Sequence, residues 1–176
     1  MNNGLAMIGG GVLAVIFAIG IISALSAQQP STASKRSVDT VENAISSIGD
    51  TSFTTVDGKT ISLADYRGKK PVILDFFATW CPNCRRNAPH LSELYKKYTD
   101  KIEVIGINLQ EDPSVVRKFA SDYSLAFPIA LDPSGDVARQ FDVRYTNMHV
   151  LIAVDGAIIR TIPGDIQESD IRSLIQ

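Results

Sequence analysis

"FFATWCPNCRRNAP" runs from Phe76 to Pro89 and holds the only two cysteines of the chain, Cys81 and Cys84, three positions apart. Just upstream, "VILDFF" (Val72–Phe77) is an apolar run of strand length interrupted by one carboxylate, Asp75. Such a run suits a central strand buried on both faces. Just downstream, Leu91, Leu94, Tyr95 and Tyr98 recur at helical spacing. The cysteines therefore stand at a strand-to-helix junction, with Pro82 suited to the first helical position.

Working outward, "IEVIGINL" (Ile102–Leu109) is a second buried-type strand. Asp112-Pro113 reads as an N-cap followed by Pro, and Val115, Val116, Phe119, Ala120 and Tyr123 then share one helix face. "FPIAL" (Phe127–Leu131) is a short strand, and "DPSGDVARQF" (Asp132–Phe141) turns into a short helix. "FTTVDGKTIS" (Phe53–Ser62) and "HVLIAVDGAIIRTI" (His149–Ile162) each place two β-prone runs around Asp-Gly, a hairpin signal. Ile171, Leu174 and Ile175 mark a closing amphipathic helix. The order ββ, β, α, β, α, β, α, β, β, α predicts an α/β fold, with a mixed central sheet, helices on both faces and an N-terminal β-hairpin extension.

The chain has 176 residues, 45% of them hydrophobic, enough for one domain with a sizeable core. Its 17 basic and 19 acidic residues give a net charge of -2, which offers no basis for nucleic-acid binding. The N-terminus is distinct. No charged residue precedes Lys35, and Gly4 to Ala27 is almost continuously apolar. At about 1.5 Å per residue that stretch reaches roughly 36 Å, enough to cross a hydrocarbon core of about 30 Å. It reads as a transmembrane anchor (4–27) behind a short tail (1–3). A cleaved signal peptide is the alternative, although a positive n-region is missing. A polar Ser/Thr/Gln-rich linker (28–50) leads to the domain at 51–176; "VDTVENAISSI" within it is a possible short helix. Lys35 and Arg36, by the positive-inside rule alone, would keep the C-terminal side in the cytoplasm.

C-x-x-C serves haem attachment, zinc binding or redox cycling. Arg85 follows Cys84 where haem attachment needs His, which excludes that use. Zinc needs four ligands, and Cys81, Cys84, His90 and His149 are the whole His/Cys complement, poorly spaced for it. A structural disulfide across two residues would close a tiny loop and stabilise little. The redox reading has a mechanism. At a helix N-terminus the unpaired N–H groups and the dipole favour a thiolate at Cys81, and Arg85 and Arg86 add positive potential. Cys84, one turn in, is expected to be more shielded. Cys81 would attack a substrate disulfide, and Cys84 would resolve the mixed disulfide. Asp75, flanked by apolar residues, would have a raised pKa and suit a proton acceptor for Cys84; the competing reading is a strand-end Asp that reaches solvent. Trp80, beside the nucleophile, reads as a platform next to the dithiol.

These residues resemble the thioredoxin superfamily. "DGKTISLADYRGKKPVILDFFATWCPNC", "EDPSVVRKFASDYSLAFPIALDPSGDVARQFDV" and "VDGAIIR" are similar to the membrane-tethered TlpA/ResA-type thiol-disulfide oxidoreductases. The resemblance covers about Thr51 to Gln176. It implies a thioredoxin-like fold, Cys81 as nucleophile and Cys84 as resolving thiol, with the redox-active disulfide serving in place of any cofactor. It also implies a single-pass membrane protein with its catalytic domain extracytoplasmic, against the direction of Lys35 and Arg36. Protein thiols and disulfides would be the substrates, and a thiol-transferring membrane protein the electron donor.

One position departs from the pattern. The family places a cis-proline in the loop before the second hairpin; here Thr146 is followed by Asn147. A cis bond before a non-proline residue costs about 2.5–4 kcal/mol, so a trans bond is expected. That loop normally faces the dithiol and its proline helps keep metal away. Its loss raises an alternative, a copper- or zinc-binding thiol chaperone or sensor using Cys81, Cys84 and His149. Pro82 and Asn83, between the cysteines, carry no cation to stabilise the reduced thiolate, which leans toward a reductant. A peroxidatic P-x-x-x-T-x-x-C arrangement does not fit, because Thr79 is two residues before Cys81 and Pro71 eight before Thr79.

Overall fold

The computed structural model describes residues 49–176. The N-terminal tail, the apolar span and nearly all of the linker, with its candidate short helix, lie outside them. Among the described residues no helix is long and apolar enough to cross a membrane.

The elements are β1 (Ser52–Thr54), β2 (Thr60–Ser62), β3 (Val72–Phe77), α1 (Pro82–Tyr98), β4 (Glu103–Leu109), α2 (Pro113–Asp122), β5 (Ile129–Asp132), α3 (Asp136–Gln140), β6 (Met148–Ile152), β7 (Ile158–Pro163) and α4 (Glu168–Leu174). The main sheet has the order β5-β4-β3-β6-β7. β3 pairs in parallel with β4 and antiparallel with β6, so the sheet is mixed. Parallel pairs need helical crossovers, which α1 and α2 supply; the β6–β7 pair is antiparallel and closes through the turn at Asp155-Gly156.

β3 lies in the middle, and all six of its residues are buried. The period of two divides them between two cores. Ile73 and Phe77 pack in one core with Leu91 and Leu94 of α1, Val116 and Phe119 of α2, and Ile171 and Leu174 of α4. Val72, Leu74 and Phe76 pack in the other with Ala138 of α3, Phe141 and Phe53. β1 and β2 pair antiparallel, and the Val56 N–H donates to Ile129 O at 2.8 Å, which ties this small ribbon to the β5 edge.

Two local features were not visible in the sequence pattern. A single 3-10 turn, Leu63–Asp65, follows β2, held by a capping box between Ser62 and Asp65. α1 runs on through Pro89, which cannot donate to the carbonyl one turn back. Pro89 is exposed, so water can take up the freed carbonyl.

Gly106 sits beside Asp75 in the β3–β4 register. A Cβ there would lie 3.1 Å from Phe127 Cε2 and 3.2 Å from Phe77 Cε1, so the two rings occupy the space a side chain would need. Gly106→Val is expected to destabilise the domain by about 1–3 kcal/mol through overpacking. A urea midpoint equal to that of the wild type would contradict this.

Candidate active site

β3 ends at Phe77, and four residues later Cys81 caps α1 with extended backbone (φ -74°, ψ 117°). Cys81 and Cys84 are joined as a disulfide, with their Cα atoms 5.3 Å apart. Sγ of Cys81 accepts the N–H of Cys84 at 3.2 Å. An N-cap side chain that accepts from an N–H of the first turn is the usual way a helix satisfies its free donors. Here the acceptor is sulfur, and that bond with the helix dipole stabilises negative charge on it. Pro82 occupies the first helical position, where its missing N–H costs nothing. Asn83 is exposed, and its Oδ1 accepts from Arg86 at 3.0 Å. Arg85 donates to the Tyr123 hydroxyl at 3.0 Å, so its guanidinium is tethered to the end of α2.

The expected difference in shielding between the two cysteines is absent from this oxidised form. Cys81 is 5% exposed and Cys84 4%. The bond to Cys84 draws the Cys81 sulfur in over the first turn, and both sulfurs join the apolar core.

Beneath α1 the sheet carries polar groups. Asp75 stands in mid-strand, not at a strand end, and directly opposite His149 in the β3–β6 register. His149 Nε2 lies 3.3 Å from Asp75 Oδ1 and 3.4 Å from Asn87 Nδ2, and all three residues are buried. Burial pushes the Asp75 carboxyl above the ordinary carboxylate range, and His149 acts in the opposite sense. Asn87 was not singled out in the sequence. The signal that could have found it is its place three residues after Cys84, which puts it on the same face of α1. His149, the candidate metal ligand of the sequence, is the cross-strand partner of Asp75.

Two further contacts position the loop that carries Cys81. Glu111, after β4, accepts both the N–H and the hydroxyl of Thr79, at 2.7 and 2.5 Å, and the Asn108 amide at 2.7 Å. Asn147 directly precedes β6 and is bonded to the end of β3. Among the described residues there is no cis peptide, and Asn147 takes φ 61°, a left-handed conformation that Asn tolerates. Its N–H donates to Phe76 O at 2.8 Å, and its Nδ2 donates to Asp165 Oδ1 at 3.2 Å. Proline could adopt neither that φ nor that bond.

Trp80 (67% exposed) and Tyr145 (71% exposed) stand at an open groove of about 480 Å³, which Thr146 also lines. Cys81, Cys84 and His149 do not form a metal-binding cluster; among the described residues no group of three or more His, Cys, Asp or Glu is placed to hold a metal ion. His90 is exposed on α1, away from buried His149.

A family model described as "AhpC/TSA family" matches residues 46–162. A thiol-disulfide oxidoreductase ResA of Bacillus thuringiensis is 37% identical over 113 residues, covering 64% of this chain and 65% of that protein. The chain thus spans just under two thirds of that relative's length. The thioredoxin-like protein YneN of Bacillus subtilis is 39% identical over 105 residues, covering 58% of this chain and 61% of that protein. Among solved structures, StoA from Bacillus subtilis superposes with a TM-score of 0.62 at 25% identity, covering 72% of this chain and 96% of its own. The fold is thioredoxin-like.

Because burial raises the folded-state value of Asp75 above about 3.9, the folded protein binds this proton more tightly than the unfolded chain. The resulting stability is fully present below the unfolded value and is lost as pH rises through the folded one. Asp75→Asn, which cannot ionise, is therefore expected to raise the thermal midpoint at pH 7, and its advantage to shrink as pH falls toward about 4. Calorimetry across that range checks it; an advantage that grows on acidification would be inconsistent with a raised value.

Proposed function

We propose that this chain, which belongs to the AhpC/TSA family, is a membrane-tethered thiol-disulfide oxidoreductase that reduces protein disulfides through the Cys81–Cys84 couple. The observation that carries the reading is the Cys84 N–H donated to Cys81 Sγ at the start of α1. A sulfur held there is a stabilised thiolate when the pair is reduced, hence both a nucleophile and a leaving group.

In the forward direction the Cys81 thiolate attacks one sulfur of a substrate disulfide and displaces the other as a thiolate. Cys84 gives up its proton and attacks Cys81 Sγ. The Cys81–Cys84 bond forms, the second substrate thiol leaves, and two electrons have passed to the substrate. Asp75, buried on the sheet below Cys84's helix, is the proton acceptor. Trp80, Tyr145 and Thr146 border the groove where a polypeptide would lie. The uncharged Pro82-Asn83 pair favours the reducing direction, and a membrane dithiol protein would restore the reduced form. The apolar segment 4–27 would be the anchor, with the domain outside the cytoplasm. The name of the ResA relative supports the reaction class. A peroxidase reading has less support, because the Thr79 hydroxyl is engaged by Glu111.

Cys81→Ser is expected to abolish disulfide reductase turnover, and Cys84→Ser to accumulate a Cys81 mixed disulfide with substrate, seen on non-reducing gels and by mass spectrometry. Turnover retained by Cys81→Ser, or no adduct with Cys84→Ser, would refute the mechanism.

A further inference from the structure

His149 is the most deeply buried ionisable residue near the dithiol, and the thiol chemistry above does not use it. A core histidine held for structure normally has each ring nitrogen satisfied by a partner of fixed character. His149 does not. Its Nε2 faces two groups of opposite demand: the Asp75 carboxylate, which when ionised can only accept, and the Asn87 Nδ2, which can only donate. Its Nδ1 is buried with no hydrogen-bond partner among the described residues.

We propose that Asp75 and His149 form one buried proton site, in which His149 shares and positions the proton that Cys84 releases when it resolves the mixed disulfide. The proposal rests on the oxidoreductase reading above. The geometry fits both occupancies of the site. With Asp75 ionised, neutral His149 carries its proton on Nε2 and donates to the carboxylate. With the added proton on Asp75, the ring takes its Nδ1–H tautomer and Nε2 accepts from Asn87 instead. The cross-strand register fixes the pair, and α1 brings the thiol to it, because Cys84 lies one turn from Asn87 on the same helix face.

The surroundings isolate the site. β7 sets apolar Ile162 opposite His149. α1 contributes Cys84 and uncharged Asn87, while its Arg85, Arg86 and His90 are exposed. In the loop after β7, Asp165 is engaged by Asn147 and lies 3.7 Å from Arg86.

The proton balance is closed. Before resolution the pair is one proton short and Cys84 is a thiol. The proton passes from Cys84 Sγ to the pair, the Cys84 thiolate attacks Cys81 Sγ, and the pair hands the proton on to the departing substrate thiolate. No net proton remains on the pair after turnover.

The test uses the full chain and the glutathione mixed disulfide on Cys81 as probe, following glutathione release against pH in a stopped flow. His149→Gln keeps a hydrogen-bonding side chain of similar reach but cannot titrate in this range. It is expected to slow release about 10²-fold and to change the pH profile, while formation of the mixed disulfide is unaffected. A purely structural histidine would be rescued by Gln, so wild-type release and an unchanged profile would overturn the proposal. A second measurement needs no mutation at the site. The chain has two histidines, so ¹⁵N-labelled histidine spectra separate His149 from exposed His90. The His149 ring is expected to change protonation or tautomer between the disulfide and dithiol forms. One invariant tautomer in both forms and across pH would overturn the proposal. If Cys84→Ser traps no adduct, the oxidoreductase reading fails; if it does and His149→Gln is silent, this inference alone fails.

Discussion

The hydrogen bond from the Cys84 N–H to Cys81 Sγ is a helix cap made with sulfur, and most of the structure exists to put it there. A cap must sit at a helix start, and α1 can start at Pro82 only because β3 stops at Phe77 in the middle of the sheet. β3 can occupy the middle because its residues are buried on both faces by two separate cores. The short link between strand and helix is then fixed from the side by Glu111 through Thr79. These supports are apolar or hydrogen-bonded, so the dithiol sits in a rigid frame.

That frame has an electrostatic cost. Asp75 lies buried in the central strand, where an ionised carboxylate is poorly solvated. The strand pairing relieves part of that cost by setting His149 opposite it, and α1 adds Asn87 from above. The result is a small polar cluster between sheet and helix, beneath the first turn that carries both sulfurs. Such an arrangement sacrifices stability where chemistry needs a group that can change charge. Gly106, on the other side of Asp75, leaves room for two aromatic rings and keeps the rest of that neighbourhood apolar.

The order of strands and helices could be read from periodicity, since long apolar runs and 3.6-residue spacing are local signals. The strand-to-helix placement of Cys81, the Pro82 position and the burial of Asp75 followed from the same signals. The Asp75–His149 pair did not, because it depends on the register between strands more than seventy residues apart in sequence. Asn87 looked like an ordinary polar helix residue until the partner across the interface was known. The near-equal burial of the two cysteines reflects the oxidised state, which a sequence does not encode. At Asn147 the departure from a proline was legible, but the left-handed backbone that replaces it was not. The 3-10 turn at Leu63–Asp65 is too short to leave a periodic trace.

The most direct measurement is the equilibrium reduction potential of the Cys81–Cys84 pair. It can be made in a defined thiol-disulfide buffer with fluorescence of Trp80, the chain's single tryptophan, as the signal. A dithiol with no cation between its cysteines is expected to lie near the thioredoxin value of about -270 mV. A value near about -120 mV, typical of a strong oxidant, would reverse the direction of electron flow and contradict the assignment as a reductase.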